Sequence, residues 1–235
     1  MRTGDFEQLY LTLREREGRL YSDEEVVNLP VINKANPNYE EWTIRSRSFK
    51  RLATYIKEKA KKLSILEVGC GNGWLSAKLS GINGAKVTGT DINQTELAQA
   101  MRVFGNWENI NFLTGDIREI DFVLKKFDMI VFAASIQYFP LLEDIIFTAL
   151  KLLNKGGEIH IIDSKFYQEA EIPAAYKRSL DYYSSVGHEK MADFYFHHSL
   201  NSLKKFKYKL LFDPGALKNK LFRKQEPFPW ILITT

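Results

Sequence analysis

Apolar and polar residues fall into two regimes along this chain. Short runs rich in apolar or β-branched residues stand at 65–68, 86–91, 110–114, 127–132 and 158–162. Runs of that length without alternation read as strands buried on both faces, the pattern of a parallel sheet. Between them the apolar spacing changes to three and four. A long helix is expected over 39–62, with Trp42, Phe49, Leu52, Ala53 and Ile56 on one stripe. Further helices are expected after Gly73 (Leu75, Leu79), from the Asn93 cap to Phe104, and over 141–153, stopping at Gly156-Gly157. Asn93 with Glu96 three residues on looks like a capping box. Alternating strands and helices predict a doubly wound α/β sheet. Residues 5–17 form a charged helix with Phe6, Leu9, Tyr10 and Leu13 on one face, and 22–38, with Pro30 and Pro37, form an irregular strap. The chain thus divides into an N-terminal helix and strap (1–38) and one domain (39–235). Late in the chain Ser199 caps a short helix over 200–205, and strands are expected at 208–212 and 229–234.

The alternation turns on one stretch. The first apolar run carries Glu67 and enters Gly69-Cys70-Gly71-Asn72-Gly73. Glycine admits positive φ and lets a ligand approach the backbone, and a helix starting at Gly73 presents unpaired N–H groups to a polar ligand. A dinucleotide fingerprint, G-x-G-x-x-G, needs its third glycine at position 74, which is Trp. The pattern present, E-x-G-x-G-x-G, resembles motif I of the class I S-adenosylmethionine (SAM) methyltransferases. Landmarks of that family follow in order over roughly residues 40–235. The resemblance implies a Rossmann-like, mostly parallel seven-stranded sheet in the order 3-2-1-4-5-7-6 with the last strand antiparallel. It implies that Glu67 and the loop residues Gly69, Cys70, Gly71, Asn72 and Gly73 cradle SAM. Asp91, at the tip of the second strand, would accept both ribose hydroxyls, with Ile92 on the adenine. Asp116 would accept from the adenine amino group while the N–H of Ile117 reaches the ring. Ala133 and Ala134, after the fourth strand, would make room for the cofactor. Arg45 breaks the apolar stripe of the long helix; it either meets the cofactor carboxylate or snorkels to a local Glu. Trp42 is a further lid candidate.

Composition excludes other classes. A net charge of +4 and a pI near 8.9 are mildly basic, short of a nucleic-acid arm. The cluster Lys218, Lys220, Arg223 and Lys224 lacks interleaved aromatics and reads as a solvated hairpin loop. A single cysteine leaves no internal disulfide or cysteine-rich zinc site. The N-terminus leads into charged residues, and no apolar run nears the ~20 residues of a membrane helix, so a cytoplasmic chain with no membrane or nucleic-acid partner is expected.

Over 164–198 the strand–helix rhythm breaks, and aromatics and three of the four histidines accumulate. This insertion matches the family's α-helical substrate cap, beyond the carboxyl ends of the strands where open α/β sheets bind ligands. Gln137 and Tyr138, after the fourth strand, and Tyr182 and His198, in the cap, are candidate substrate contacts; Tyr138 serves equally well as core. His197 or His198 is a candidate base. Three absences narrow the chemistry. No Asn/Asp-Pro-Pro-aromatic signature follows the fourth strand, the only cysteine lies in the glycine loop, and only Asp163 follows the fifth strand, so no metal is expected. The expectation is methyl transfer from SAM to a small, partly apolar or ring-bearing molecule. An NAD(P)-dependent oxidoreductase and a non-catalytic SAM- or nucleoside-binding module are the alternatives.

Overall fold

The computed structural model describes residues 3–59, 61–122, 125–217, 219 and 226–234. The main sheet is built from β1 (Leu63–Val68), β2 (Ala85–Asp91), β3 (Ile110–Thr114), β4 (Phe127–Ala133), β5 (Leu153–Ile162), β8 (Lys207–Phe212) and β9 (Trp230–Thr234). Its seven strands run in the order β3-β2-β1-β4-β5-β9-β8. The first five are parallel; β9 is antiparallel to both β5 and β8. This is the doubly wound order expected. The chain reverses direction across the sheet between β1 and β4, the switch point where such sheets open a crevice.

Helices α3 (Tyr39–Glu58), α4 (Trp74–Ser80) and α5 (Gln94–Phe104) bury one stripe each with Ile65, Val87 and Met129 of the sheet. The opposite face carries Leu66, Val68, Ile130 and Phe132, packed under α6 (Leu142–Lys151). Ile65 and Leu66 are thus apolar in succession because each face of the strand meets its own layer of helices, and Glu67 breaks the run at the loop.

Four boundaries differ from the sequence reading. Helix α3 stops at Glu58, because after Ile56 the sequence offers no large apolar residue before Leu63; Lys59 turns out to pair with Glu158 at 2.9 Å. Helix α6 ends at Lys151 and β5 begins at Leu153, so Gly156-Gly157 lies inside a strand. Gly156, at φ +75°, absorbs the irregularity that moves the pairing from Phe127–Leu153 to Met129–Glu158. The strap contains helix α2 (Asp23–Asn28), closed by a capping box between Ser22 and Glu25; Val26 is its one buried residue, too little to mark a stripe. The 200–205 segment is a 3-10 turn, Leu200–Leu203. The basic cluster Lys218, Lys220, Arg223 and Lys224 lies outside the described residues.

The cap is more than helix. Helix α7 (Ile172–Ser185) and the 3-10 segment Glu189–Phe194 are bracketed by a parallel ribbon, β6 (Phe166–Tyr167) with β7 (His198–Ser199). The first helix, α1 (Thr3–Arg16), joins it: Leu13 packs with Tyr183, Met191 and Ala192, flanked by Phe6, Leu9 and Tyr10. Among the described residues no helix is long and apolar enough to cross a membrane.

Candidate active site

Strand β1 delivers the glycine loop to the switch point. The N–H groups of Gly69 and Cys70 both donate to the Thr90 carbonyl, at 2.8 and 3.0 Å, tying the loop to β2. Two glycines are obligatory here. Gly69 sits at φ +74°, and a Cβ on it would stand 2.5 Å from the Ser135 Cβ. Gly73 sits at φ +76°, and a Cβ there would meet Ala100 and Phe112 at 2.8 Å. The Ser135 hydroxyl donates to the Val68 carbonyl at 2.6 Å, so the end of β4 locks the end of β1. Asn72 is buried, and its Oδ1 accepts from the Trp74 N–H at 3.4 Å.

Acids gather behind this loop. At the tip of β2, Asp91 accepts from the Gly71 N–H (2.7 Å) and, through its other oxygen, from the Asn93 N–H (2.8 Å). Each oxygen keeps a second lone pair for a ligand. Burial raises the Asp91 pKa against those backbone donors. Glu96 follows on α5. Asn93 accepts from its N–H at 3.0 Å, but the Glu96 carboxylate turns to Gly71 instead of back to the cap, so the capping box is only half formed. Burial pushes Glu96 to about 7, with Arg14 opposing. Glu67 is 2% exposed and bonded to the Ser76 hydroxyl; burial, aided by the Asp91 charge, pushes it to about 8.

A pH dependence follows. An acid whose folded pKa lies above its unfolded value holds an extra proton in the folded state, so stability falls as pH rises through that window. Without ligand, the thermal midpoint is expected to fall between about pH 6.5 and pH 8, above the range in which His160, His197 and His198, whose pKa values burial lowers, contribute the opposite slope. Glu67→Gln, neutral throughout, flattens the upper part of that fall. Melting curves at several pH values check this; an unchanged slope in the variant would contradict the Glu67 assignment.

Helices α1 and α3 roof the loop. Arg14 donates to the Tyr10 hydroxyl at 2.6 Å. Arg45 pairs with Glu41 through Nε (3.0 Å) and Nη2 (2.8 Å) and lies over the Trp42 ring. Glu41 also takes Arg19 at 2.6 Å. Burial alone would raise the Glu41 pKa, but Arg45, Arg19 and Arg14 together hold it below its usual value. Trp42 donates to the Tyr21 hydroxyl at 2.6 Å and meets Trp74 edge-on. The pocket so enclosed is lined by Glu67, Gly69, Cys70, Gly71, Asn72, Ala133 and Ala134 below and by Tyr10, Arg14, Trp42 and Arg45 above. It measures only about 70 Å³, under the ~300 Å³ where small-molecule clefts begin.

Not every expected residue reaches this pocket. Arg45 lines it, bonded to the local Glu41. Asp91 is joined to it through the Gly71 N–H. Gly73, Ile92 and Ile117 do not line it, and Ile117 packs in the core beside Phe122. Asp116 is turned toward Arg118, which donates to it from Nε (2.8 Å) and from the backbone (2.9 Å) and holds its pKa below the usual range against burial.

A second cavity, about 540 Å³, opens beside Ala134 under α1, α3 and α7. Tyrosines 138, 167, 182, 183 and 195 form much of its wall. Gln137 lines it, but its amide is engaged: Nε2 donates to the Ala134 carbonyl (2.7 Å) and Oε1 accepts from Ser164 (2.9 Å). Tyr138 is both wall and core, edge-on to Tyr10 and Tyr195. Tyr182 donates to Glu17. His198 does not line the cavity: its ring is buried in the β6–β7 ribbon, with Nε2 at 3.1 Å from the Ile136 carbonyl. Its ring meets that of Phe166, its partner across the ribbon, away from the cavity. His197 is hydrogen-bonded to Ser179 at 2.9 Å.

Sequence reasoning missed Tyr10, Arg14, Glu41, Glu96 and Asp163 as wall residues. Only one left a signal: Arg14 falls four residues after Tyr10, on the edge of the apolar stripe of α1. Among the described residues, no group of three His, Cys, Asp or Glu side chains is placed to share a metal ion.

Comparison with known proteins adds the following. The model of a family described as a methyltransferase domain matches residues 59–221. A demethylmenaquinone methyltransferase of Chlorobaculum tepidum is 29% identical over 183 residues, 76% of this chain and 73% of that one. A malonyl-[acyl-carrier protein] O-methyltransferase of Ilyobacter polytropus is 29% identical over 108 residues, 45% of this chain and 41% of its own. In fold the chain is similar to the plantazolicin methyltransferase BpumL bound to a triazolic desmethylPZN analog and S-adenosylhomocysteine (SAH). That likeness has a TM-score of 0.59 at 17% identity and covers 99% of this chain and 98% of the other. The magnesium protoporphyrin IX methyltransferase ChlM of Synechocystis, also with SAH, gives 0.58 at 15% identity over 90% and 91%.

Proposed function

The chain belongs to the methyltransferase domain family and is a SAM-dependent methyltransferase, and from that premise we propose that it methylates a small, ring-bearing acceptor held under α1, α3 and α7, without a metal ion. The observation that carries this reading is the junction at Ala134, which lines both the pocket of the glycine loop and the tyrosine-walled cavity. A donor and an acceptor seated on either side meet there. Two of the similar proteins are named for ring compounds, demethylmenaquinone and magnesium protoporphyrin IX, in keeping with an aromatic wall, and a third for malonyl-[acyl-carrier protein].

The residues present suit SAM. The loop has no side chains where Gly69 and Gly71 face the pocket. Asp91 offers two carboxylate oxygens for vicinal hydroxyls, and Arg45 and Arg14 offer guanidinium groups to a carboxylate. When bound, SAM supplies an electrophilic methyl group on a sulfonium. The chain's part is then positioning: Asp91 and the loop fix one end, Arg45 the other, and the tyrosine wall holds the acceptor in line, where alignment itself supplies much of the rate. Closure by Trp42 and Tyr10 excludes water from the reacting atoms.

Calorimetric titration tests the first half. SAM and SAH are expected to bind with micromolar Kd, and NAD not at all. NAD binding without SAH binding would sink this assignment.

A further inference from the structure

At the ends of β4 and β5, side by side, stand the only two non-glycine residues with positive φ among those described: Ala134 (+52°) and Asp163 (+56°). Left-handed backbone at a non-glycine residue is strained and persists where surrounding structure imposes it, often at functional sites. Here the Ala134 N–H donates to the Ile162 carbonyl at 3.0 Å, so the two turns brace each other. The result is that Asp163, 7% exposed, is aimed into the tyrosine-walled cavity next to Ala134. Its Oδ1 accepts from the Ser48 hydroxyl of α3 at 2.5 Å. Its Oδ2 has no hydrogen-bond partner among the described residues.

From this geometry, and resting on the methyltransferase reading above, we infer that Asp163 is the catalytic proton acceptor and that the acceptor atom is a hydroxyl oxygen on an aromatic ring. The oxygen lone pair forms the bond to the methyl carbon while that carbon's bond to sulfur breaks and its electron pair passes to sulfur. The O–H proton goes to Oδ2 of Asp163. The products are an aryl methyl ether, the neutral thioether and a protonated Asp163, which returns its proton to solvent when the products leave. Charge and atoms balance without a further reactant.

The chemistry of the base selects the nucleophile. A hydroxyl keeps a free lone pair while protonated and grows strongly acidic as the new bond forms, so a carboxylate suffices. An ammonium has no lone pair until it loses a proton, and its pKa near that of lysine, ~10.4, is far above a carboxylate's reach. Burial raises Asp163 to about 6, with Arg45 opposing, so it is ionised and basic at neutral pH. The charged groups around it are five arginines and three glutamates, an excess of positive charge that favours its ionised form. Helix α3 presents Arg45, Arg51, Glu40 and Glu41; Arg14, Glu17 and Arg19 come from α1 and the turn after it, and Arg178 from α7. Ser48 is a positioning residue: its hydroxyl holds Oδ1 and leaves Oδ2 toward the cavity.

The test uses the whole chain with SAM and four probes: caffeic acid, 7-hydroxycoumarin, 2-naphthol and, as a ring-bearing amine, phenethylamine. SAH release measures turnover and calorimetry measures SAH affinity. Asp163→Asn is the main variant, since Asn tolerates the same left-handed backbone. The wild type is expected to methylate at least one phenol and not the amine. Its kcat should fall as pH drops through about 6. Asp163→Asn should lower kcat by about 10²-fold or more, leave KM and SAH affinity within about threefold, and lose the acid limb. Ser48→Ala should move that limb to higher pH, because the ionised form loses a donor. An infrared band of a protonated carboxyl, appearing as SAH-loaded protein is acidified and absent in Asp163→Asn, gives a readout independent of turnover. A variant kcat near wild type, methylation of the amine alone, or SAH binding with no phenol methylated would each overturn the inference. Failure to bind SAH would instead remove the cofactor reading beneath it.

Discussion

Asp91→Ala is expected to abolish SAH binding in calorimetry, weakening it by about 10²-fold or more. The carboxylate offers two charge-assisted hydrogen bonds to vicinal hydroxyls, each contributing about 1.5–3 kcal/mol, and 1.4 kcal/mol is tenfold. The substitution also strips the acceptor from the Gly71 and Asn93 N–H groups, leaving two buried donors that each cost about 1–3 kcal/mol. The loop therefore loosens as the ligand contact goes. A variant that binds SAH within threefold of wild type would show that Asp91 only ties the loop and touches no ligand.

Gly69→Ala is expected to lower the thermal midpoint by roughly 5–15 °C. Two costs combine. The left-handed φ of +74° penalises a Cβ by roughly 1–2 kcal/mol. The new atom would sit 2.5 Å from the Ser135 Cβ, and overpacking of this kind costs about 1–3 kcal/mol. For a chain of this size each kcal/mol moves the midpoint by about 2–4 °C. Gly156→Ala is the control: its φ is +75°, yet nothing lies within 4 Å of the added Cβ. It carries strain without clash and should cost only the first part. Equal shifts in the two variants would mean that the contact between the ends of β1 and β4 is slack.

The parts of the site legible in the sequence are those whose geometry is local. Glycines at 69, 71 and 73 declare a left-handed loop, and Asp91 ends a short β-branched run (Val87, Thr88, Thr90), so both announce themselves through neighbours in the chain. The strand order was implied by the family resemblance, not by the rhythm of strands and helices. Arg45 was legible as an anomaly on a stripe, but not which anion it meets, because Glu41 on the same helix is available in the folded chain. Glu96 was misread because its spacing from Asn93 fits a cap; only tertiary packing turns its carboxylate to Gly71. Asp163 looked like an ordinary residue after a strand. Its importance comes from a backbone twist shared with Ala134 and from Ser48, which is distant in sequence. His198 shows the converse: a residue type rich in chemistry, absorbed by a two-residue ribbon that no periodicity reveals. Gly156-Gly157 looked like punctuation, and pairing to β4 overrode it.

Helix α1 roofs two chambers at once, with Tyr10 and Arg14 over the glycine loop and Leu13, Arg14 and Glu17 over the tyrosine-walled cavity. The chamber of the glycine loop is far too small for a nucleoside while that roof is down. One rigid body of 14 residues therefore stands in both doorways, and Arg14 is the jamb they share. Traffic through the two cannot be independent. A swing that admits the methyl donor also unroofs the acceptor, and an acceptor seated under α1 bars the spent donor from leaving. Entry of the donor and release of both products then share one opening of α1, while the methyl-transfer step keeps its own dependence on Asp163.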